Sequence, residues 1–422
     1  MIFHILAPKK KKYENIKAVF FELINKEDKE RGTKLLRSCV EKCKTINDEN
    51  SKVRTLIAGG DGTVLTMIEG FQKDGIDINY CIFGHIPLGT GNDLSNSLGF
   101  NSCVDISDNI DKLYKIILKY FHANFGKIDV WNMDLILHEN DGEVLLNTKN
   151  GKKQLLDDNG QILRRYKRTF INYLSLGYDA RIGYNFDPKR TKSRNHNKCV
   201  YFWEGLKKLL CRKTLTVQHF IDTFTVFESP ENSVNESTFW ENQNNPENEK
   251  VKFQFRSKYS KTITNAGKEL VIKGDPCSII FQNIIMYMSG ITDIWGNAKL
   301  KRALTVEDEQ KQDKQKYVDK IKKMDSEIQR SDDKQLEVFT FDNGLETGFE
   351  KVRSGHAKKL YHGRGPMEIK FLDTPGYTKG DTKDRIYLNV DGEYFHIVRP
   401  IQLRIEISRG LCGGQLPFLV NK

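Results

Sequence analysis

Two glycine-rich segments contain the residue types that bind polyphosphates. The first, residues 59–63, follows an apolar run typical of a buried strand and precedes a helix-like stretch. Glycines have no Cβ, so backbone N–H groups can approach a phosphate, and the amino end of the following helix adds positive partial charge. An ordinary strand-to-helix turn is the alternative, but such a turn rarely needs three glycines and an acid. We therefore predict phosphate binding by Gly59, Gly60, Asp61, Gly62 and Thr63.

The second segment repeats this order of strand, glycine turn and helix. It lies at residues 87–95, directly after the apolar run 81–86. Because the carboxyl ends of parallel strands lie at one edge of a sheet, both turns are expected at the same edge. Asn92 or Asp93 has the alternative role of an ordinary helix cap. The candidate nucleotide-binding residues of this turn are Gly89, Thr90, Gly91, Asn92 and Asp93.

Neither segment is one of the common nucleotide loops. No Gly-Lys-Ser/Thr ends the first turn, which excludes a Walker loop. No Val-Ala-Ile-Lys strand follows it either, as the glycine loop of protein kinases requires. A different architecture for phosphoryl transfer is therefore expected.

The elements around these turns predict two domains. A chain of 422 residues is longer than the roughly 250 to 300 at which one hydrophobic core stops growing. Apolar runs alternate with helical stretches in the first part of the chain, whereas β-rich runs dominate afterwards. The predicted fold class is therefore α/β, with an N-terminal parallel-sheet nucleotide-binding domain at 1–128. A mainly antiparallel, sandwich-like β-rich domain at 129–422 is predicted to follow it.

Three polar stretches interrupt the second domain. They carry Asn-Gly turns, an excess of Asn and Glu, or near-balanced charges with few apolar residues. We predict that they are surface insertions and that the last is a solvated helix. They lie near 138–167, 228–250 and 301–335.

Composition narrows the class of partner. The formal net charge of +11 favours nucleotide phosphates, nucleic acid or acidic lipid head groups. No arginine-rich stripe with interleaved aromatics and no zinc-finger or RNA-recognition signature is present, so nucleic acid is not expected. The eight cysteines are scattered without a metal-binding cluster, which fits a reducing cytoplasmic compartment. The apolar stretches suit buried strands, so membrane contact is expected to be peripheral.

The motifs together resemble the catalytic and accessory domains of eukaryotic diacylglycerol kinases. The catalytic part of the resemblance is Gly-Gly-Asp-Gly-Thr at 59–63 followed by Pro-Leu-Gly-Thr-Gly-Asn-Asp-Leu at 87–94. The accessory part is carried by residues 172–180, 197–202, 282–296 and 389–393. Six motifs in the family's order argue against a chance match. NAD kinases share the first turn but not the second motif or the closing Asp-Gly-Glu.

The resemblance implies a lipid kinase that transfers the γ-phosphoryl group of ATP to the free hydroxyl of 1,2-diacylglycerol, giving phosphatidate at a membrane surface. Ceramide or a sphingoid base is an alternative acceptor, and an inactive nucleotide-binding adaptor is an alternative of another class. The expected cofactors are ATP and Mg²⁺. The expected partners are diacylglycerol in a membrane and an anionic lipid surface, without zinc-finger or calcium-binding modules. The expected location is cytoplasmic, with peripheral membrane association.

The resemblance also assigns roles to charged residues. In related lipid kinases the acid of the closing Asp-Gly-Glu is the general base, which implies Glu393 here, with a solvated turn residue as the alternative. In sphingosine kinases the acid of the first motif, here Asp61, transfers the proton, and the sequence leaves both open. Asp61 is also a candidate metal ligand, because its charge would otherwise repel a polyphosphate. Arg194 and Lys198 lie where the family places basic residues near the phosphates.

The amino-terminal part departs from the family. Members open with a strand running into an Asn-Pro-x-Ser-Gly turn, and nothing in residues 1–17 matches that turn. Either Lys9 and Lys10 substitute electrostatically for this turn, or the first strand is missing. We expect the second, which leaves the neighbouring sheet edge unpaired. Weak ATP binding and slow turnover are expected to follow.

Overall fold

The structure, a computed structural model, describes residues 2–6, 17–46, 51–89, 91–100, 110–191, 193–211, 216–228, 249–255, 269–272, 276–288, 291–299, 304–306, 326–350, 353–372 and 386–421. The chain forms two compact units. The first contains Met1–Val130, Met286–Thr292 and Ser408–Lys422, and the second contains Trp131–Ile285 and Asp293–Ile407.

Strands dominate the described residues. Up to residue 255 they are β1 (Ile2–Leu6), β2 (Lys17–Phe21), β3 (Val53–Gly59), β4 (Cys81–Pro87), β5 (Asn124–Asp129), β6 (Trp131–Leu137), β7 (Glu143–Thr148), β8 (Gly151–Gln154), β9 (Arg165–Phe170), β10 (Tyr173–Gly177), β11 (Ile221–Glu228) and β12 (Glu249–Phe255). After it they are β13 (Glu269–Ile272), β14 (Ser278–Gln282), β15 (Met286–Tyr287), β16 (Ile291–Thr292), β17 (Leu304–Val306), β18 (Leu336–Phe341), β19 (Lys358–Gly363), β20 (Met367–Phe371), β21 (Ile386–Val390), β22 (Glu393–Val398), β23 (Pro400–Ile407) and β24 (Gln415–Val420).

The α-helices are fewer and mostly short. They are α1 (Lys26–Ile46), α2 (Asp61–Lys73), α3 (Asp93–Ser97), α4 (Ile110–Phe121), α5 (Tyr178–Phe186), α6 (Arg194–Cys211), α7 (Ile294–Asn297) and α8 (Gly344–Phe349). Of the helical segments that the structure describes, none combines the length and the apolar composition needed to cross a membrane.

The first unit is built on a six-stranded mixed sheet with the order β2-β1-β3-β4-β24-β5. β4 lies parallel to both β3 and β24, whereas the other neighbours are antiparallel. β4 is buried at all seven positions and β3 at five of seven, as near-continuous apolar runs in a covered parallel pair require. The predicted α/β class is confirmed. The prediction of an unpaired sheet edge is wrong, because β1 pairs with β3 in the antiparallel direction.

The carboxyl-terminal strand belongs to the first unit. β24 lies between β4 and β5, and the backbone N–H of Asn421 donates to the carbonyl oxygen of Leu98 at 2.8 Å. Leu416 and Phe418 on this strand are fully buried. The division into 1–128 and 129–422 is therefore corrected: residues 408–422 return to the first unit because their apolar side chains complete its core.

The second unit is a sandwich of two eight-stranded sheets, β19-β18-β14-β10-β21-β22-β7-β8 and β17-β13-β12-β11-β20-β23-β6-β9. All neighbours are antiparallel except β12 and β13. One hydrophobic core takes alternate residues from both sheets, as packed sheets do. The rings of Phe224 on β11 and Phe281 on β14, for example, meet edge to face at 5.6 Å between centroids. The predicted β-rich sandwich is confirmed.

One predicted insertion is part of the sandwich. Residues near 138–167 were expected to form a surface insertion, but β7 pairs with β22 and β8 with β7. The interpretation is wrong for β7 because Val144 is fully buried in the sandwich core and Leu146 packs against it. The other two insertions fall mostly outside the described residues, which leave out 229–248 and 307–325.

Candidate functional site

The two glycine turns of the first unit lie against each other. β3 and β4 pair in parallel with Gly59 opposite Pro87, and the N–H of Leu88 donates to the carbonyl oxygen of Gly59 at 2.9 Å. A Cβ on Gly89 would lie 2.7 Å from the Cα of Gly60, closer than real Cβ atoms come. The turns therefore pack backbone to backbone, and Gly89 must be glycine for the fold itself.

Gly60 has a different reason to be glycine. It precedes α2 as its N-cap with an extended backbone, φ −87° and ψ 172°, and no side chain caps the helix. A Cβ there would make only ordinary contact, 3.6 Å from the Cα of Gly89. The fold thus has room for a side chain at Gly60. What glycine adds at this position is open access to the N–H groups at the amino end of α2, where anions bind.

Asn92 shapes the second turn. Its Oδ1 accepts from the N–H of Gly89 and its Nδ2 donates to the carbonyl oxygen of Gly89, both at 2.8 Å. Asn92 itself is left-handed, with φ 57°, a conformation that Asn tolerates better than most residues. Asn92 and Asp93 are both buried. Asn92 stands at the N-cap position of α3, but its side chain closes the turn and makes no capping bond. Thr90 lies outside the described residues.

Asp61 ties the first turn to the second. Its carboxylate accepts from the backbone N–H of Asp93 at 2.9 Å and of Leu94 at 3.4 Å. Burial raises the pKa of Asp61 to about 6, although these two hydrogen bonds lower it. The structure therefore places Asp61 as a largely buried link between the turns.

His85 is a neighbour that sequence analysis missed. Its side chain is fully buried on β4, with Nε2 3.0 Å from the carbonyl oxygen of Gly59 and Nδ1 3.6 Å from Oδ1 of Asp61. Burial lowers the pKa of His85 to about 4, although the hydrogen bond to Gly59 raises it. The ring is thus neutral at pH 7, and since a carbonyl only accepts, its proton is on Nε2. A lone histidine in an otherwise apolar strand was the available signal.

In the second unit, the closing Asp-Gly-Glu forms a tight hairpin. Asp391 and Gly392 both have positive φ, 49° and 82°, as the favoured two-residue turn between β21 and β22 requires. The N–H of Gly392 donates to Oδ1 of Asn389 at 2.9 Å. Glu393 follows directly as the first residue of β22.

Asp391 fixes this hairpin to a second motif. Its carboxylate accepts three backbone N–H groups at 2.9 to 3.0 Å, from Ile171, Asn172 and Tyr173. Asn283 completes the frame by donating from Nδ2 to the carbonyl oxygen of Ile171 at 2.7 Å. Motif residues far apart in sequence therefore build one buried frame, and Glu393 projects from its edge.

Arg168 on β9 holds Glu393. Its guanidinium lies 2.5 Å from Oε1 of Glu393 and donates to the hydroxyl of Tyr166 at 3.0 Å. Burial lowers the pKa of Arg168, but the hydrogen bonds and electrostatic attraction to Glu393 and Tyr166 together outweigh it, so the net direction of the pKa is upward. The Glu393 side chain remains 43% exposed, so it can meet a substrate. No motif marks Arg168 in the sequence, since one basic residue on a strand is usually solvated.

A groove of about 380 Å³ opens beside Glu393. Its apolar lining includes Leu146 and Leu155, which also pack against the sandwich core. Its polar lining contains both acidic and basic side chains. The lining residues are Leu146, Leu155, Leu156, Asp157, Asp158, Leu163, Arg165, Tyr166, Lys167, Arg168, Glu393 and Phe395.

The remaining predicted residues lie in three elements. Gly62 and Thr63 are in the first turn of α2, Gly91 directly precedes Asn92, and Arg194 and Lys198 are on α6. The side chains of Arg194 and Lys198 lie outside what the structure describes. The structure therefore brings together the residues of both glycine turns and, separately, Glu393 with its groove.

The fold is that of a two-unit α/β protein whose first unit carries two paired glycine turns at the ends of parallel strands. The family model of the diacylglycerol kinase catalytic domain matches residues 7–122, and that of the diacylglycerol kinase accessory domain matches residues 169–394. The chain belongs to the diacylglycerol kinase family.

Similar sequences occur in Arabidopsis thaliana. Diacylglycerol kinase 3 of that plant is 29% identical over 187 residues, which are 39% of this chain and 38% of that protein. Diacylglycerol kinase 4 is 23% identical over 379 residues, 84% of this chain and 66% of that protein. The chain thus spans less than two thirds of either relative's length. A solved structure from Bacillus anthracis str. Sterne covers 92% of this chain and 83% of that chain, at 14% identity and a TM-score of 0.41.

Proposed function

We propose that this protein is an ATP-dependent diacylglycerol kinase that converts diacylglycerol and ATP to phosphatidate and ADP. Membership of the diacylglycerol kinase family supports the reaction. The observation that carries the proposal is the backbone-to-backbone packing of Gly60 and Gly89 at the ends of two parallel strands. Such an edge is where open α/β sheets bind ligands.

The nucleotide half of the proposal rests on the amino end of α2. Gly60 leaves access to the N–H groups at the amino end of α2, and these suit the phosphates of ATP. The residues at 59–63 and 89–93 are the proposed nucleotide-binding residues. Arg194 and Lys198 are proposed as further phosphate ligands, on the strength of the family motif at 197–202.

Glu393 is the proposed general base. It takes the proton of the acceptor hydroxyl while that oxygen attacks the γ-phosphorus and the bond from the γ-phosphorus to the leaving ADP breaks. Its exposure and its pairing with Arg168 support this role, because the carboxylate is accessible and held in one orientation. Asp61 is less suited, since it is largely buried and already accepts two backbone N–H groups.

Asp61 is instead the proposed carboxylate for Mg²⁺. Mg²⁺ in kinases takes one or two carboxylates and completes its ligands with water and substrate phosphate. Among the described residues, no group of three or more His, Cys, Asp or Glu side chains is placed to hold a metal ion. Bound there, Mg²⁺ would neutralise charge on the phosphates.

Diacylglycerol is the proposed acceptor, and the groove beside Glu393 is its proposed site. Leucines and Phe395 suit acyl chains there, whereas a purely polar acceptor would gain nothing from them. Because diacylglycerol is located in a lipid bilayer, we also propose that this protein is cytoplasmic and associates peripherally with membranes.

Labelled ATP offered to the protein with vesicles tests the proposal. Vesicles containing diacylglycerol, ceramide or sphingosine are compared, with Glu393→Gln as the matched control. We expect labelled phosphatidate from the wild type and little from the variant. Label on ceramide or sphingosine would show that the acceptor is that lipid and not diacylglycerol. If no lipid is labelled, the result would favour the inactive nucleotide-binding adaptor.

A further inference from the structure

One face of α6 is apolar and exposed. Cys199, Phe202, Trp203 and Leu206 recur at positions i, i+3, i+4 and i+7, so they lie along one side of the helix. Phe202 is 70% exposed and Trp203 56%, unusually high for large aromatic side chains. We call these four residues the α6 aromatic face.

The helix is fixed by its other side. Tyr201 meets Phe186 of α5 at 5.5 Å between ring centroids, and the hydroxyl of Tyr178 donates to the carbonyl oxygen of Gly205 at 3.0 Å. Glu204 is buried and paired with Lys189 at 2.6 Å and with Lys207 at 3.3 Å. These contacts prevent α6 from rotating to bury its aromatic face.

The segment around this face is strongly basic. Residues 189–213 contain nine lysines and arginines and a single acid, Glu204. That segment therefore carries +8 of the chain's net charge of +11. Lys189 and Lys207, on either side of Glu204, remain half exposed. An anionic surface is the complementary partner for such a field.

We propose that the α6 aromatic face docks on an anionic phospholipid bilayer, with Phe202 and Trp203 in the interfacial layer and Lys189 and Lys207 on the head groups. The proposal rests on the proposed function, because a kinase for diacylglycerol must reach its substrate in a bilayer. Exposed aromatics flanked by basic residues are the composition of interfacial helices. A second copy is a poor occupant, since dimerisation through this face would bring two +8 segments together.

Vesicle flotation is the first test. The double variant Phe202→Ser/Trp203→Ser is compared with Ile328→Ser, which removes an equally exposed apolar side chain, 79% exposed, elsewhere in the second unit. With vesicles of phosphatidylcholine and phosphatidylserine, we expect the double variant to lose at least about tenfold in affinity and the control to match the wild type. Wild-type binding should also fall at high salt. Equal binding by all three proteins would overturn the proposal.

Fluorescence identifies the inserting residue. Trp131 and Trp295 are fully buried, so Trp203 is the described tryptophan that lipid can reach. Brominated phosphatidylcholine in the vesicles should quench the wild type and spare Trp203→Phe, which keeps an aromatic ring and should still bind. Equal quenching of both proteins would place the contact elsewhere.

A monomeric short-chain substrate separates this proposal from the proposed function. Trp203→Ser, which lies outside the motif at 197–202, should phosphorylate dissolved dihexanoylglycerol at the wild-type rate and lose activity only on vesicles. If no lipid is phosphorylated by the wild type, the proposed function fails while flotation and quenching still report on docking. If the double variant binds vesicles as the wild type does, and only the wild type forms a dimer, the α6 aromatic face joins two copies of the chain instead.

Discussion

The acid that performs proton transfer is the first question at the scale of single residues. We expect Glu393→Gln to lower turnover by roughly a hundredfold or more while leaving the affinity for ATP unchanged. The neutral amide keeps the size of the side chain but cannot accept the hydroxyl proton. Steady-state kinetics combined with equilibrium ATP binding measures both quantities. Unchanged turnover would remove Glu393 from the mechanism and return the role of base to Asp61.

The buried pair Asp61 and His85 predicts two opposing effects of pH on stability. Burial raises the pKa of Asp61 from 3.8 to about 6, so the folded protein binds more protons than the unfolded chain in that window and stability falls as pH rises. Burial lowers the pKa of His85 from 6.5 to about 4, so stability rises with pH there. Each effect is on the order of 3 kcal/mol. The two largely cancel in the wild type.

Single variants should expose each half of this balance. As the pH rises from 4 to 6.5, the free energy of unfolding of Asp61→Asn should increase more than that of the wild type, because only the His85 effect remains. The free energy of unfolding of His85→Leu should decrease over the same pH range, since only the Asp61 effect remains in that variant. Denaturant titrations at several pH values, each variant compared with its own value at pH 4, give the slopes. Parallel curves for all three proteins would contradict the assignment.

At the scale of elements, the paired glycine turns predict two different glycine phenotypes. Gly60→Asp should remove ATP binding and leave the fold, because there is room for a side chain but its charge would face phosphate. Gly70→Asp, the same change later in α2 with nothing near its Cβ, is the control and should bind ATP normally. Isothermal titration and circular dichroism distinguish them. Normal ATP affinity in a folded Gly60→Asp protein would refute the phosphate-binding turn.

Gly89→Ala, in contrast to Gly60→Asp, should destabilise the fold. Its Cβ would clash with the backbone of Gly60 at 2.7 Å and with Oδ1 of Asn92 at 2.9 Å. We expect a loss of about 1 to 3 kcal/mol in the free energy of unfolding, typical of overpacking at a site that cannot yield. Thermal or denaturant unfolding measures it, and wild-type stability would show that the two turns are not packed as described.

Periodicity predicted the elements where one local pattern decides the structure. The β-rich runs after residue 128 correctly predicted that strands dominate the second unit, and both glycine turns were correctly predicted at strand ends. β7 was misinterpreted because polar turns on either side obscured the buried Val144. Arg168 and His85 escaped because their roles depend on partners distant in sequence, Glu393 and Asp61. Contacts between distant residues are what a local pattern cannot report.

At the scale of the whole molecule, the first and last parts of the chain form one folding unit. β24 fills the gap between β4 and β5, pairing with β5 from Gln415 to Val420, so the sheet that carries the glycine turns is complete only when the final residues are in place. No sequence pattern within residues 1–128 indicates this dependence. A fragment ending at residue 130 would leave the apolar edges of β4 and β5 uncovered.

The stability of the two glycine turns is therefore expected to depend on the carboxyl-terminal strand. Phe418→Ala removes a fully buried ring that packs at 6.1 Å between centroids against Phe83 of β4. We expect a loss of about 3 to 5 kcal/mol from the first unit, and weaker ATP binding with it. Phe125→Ala on the neighbouring β5 is the matched control, since that ring is 58% exposed and should cost much less. Hydrogen exchange of the β3 and β4 amides, measured with ATP affinity in each variant, checks both. Protection of those amides that is unchanged in Phe418→Ala would show that the first unit folds without help from β24.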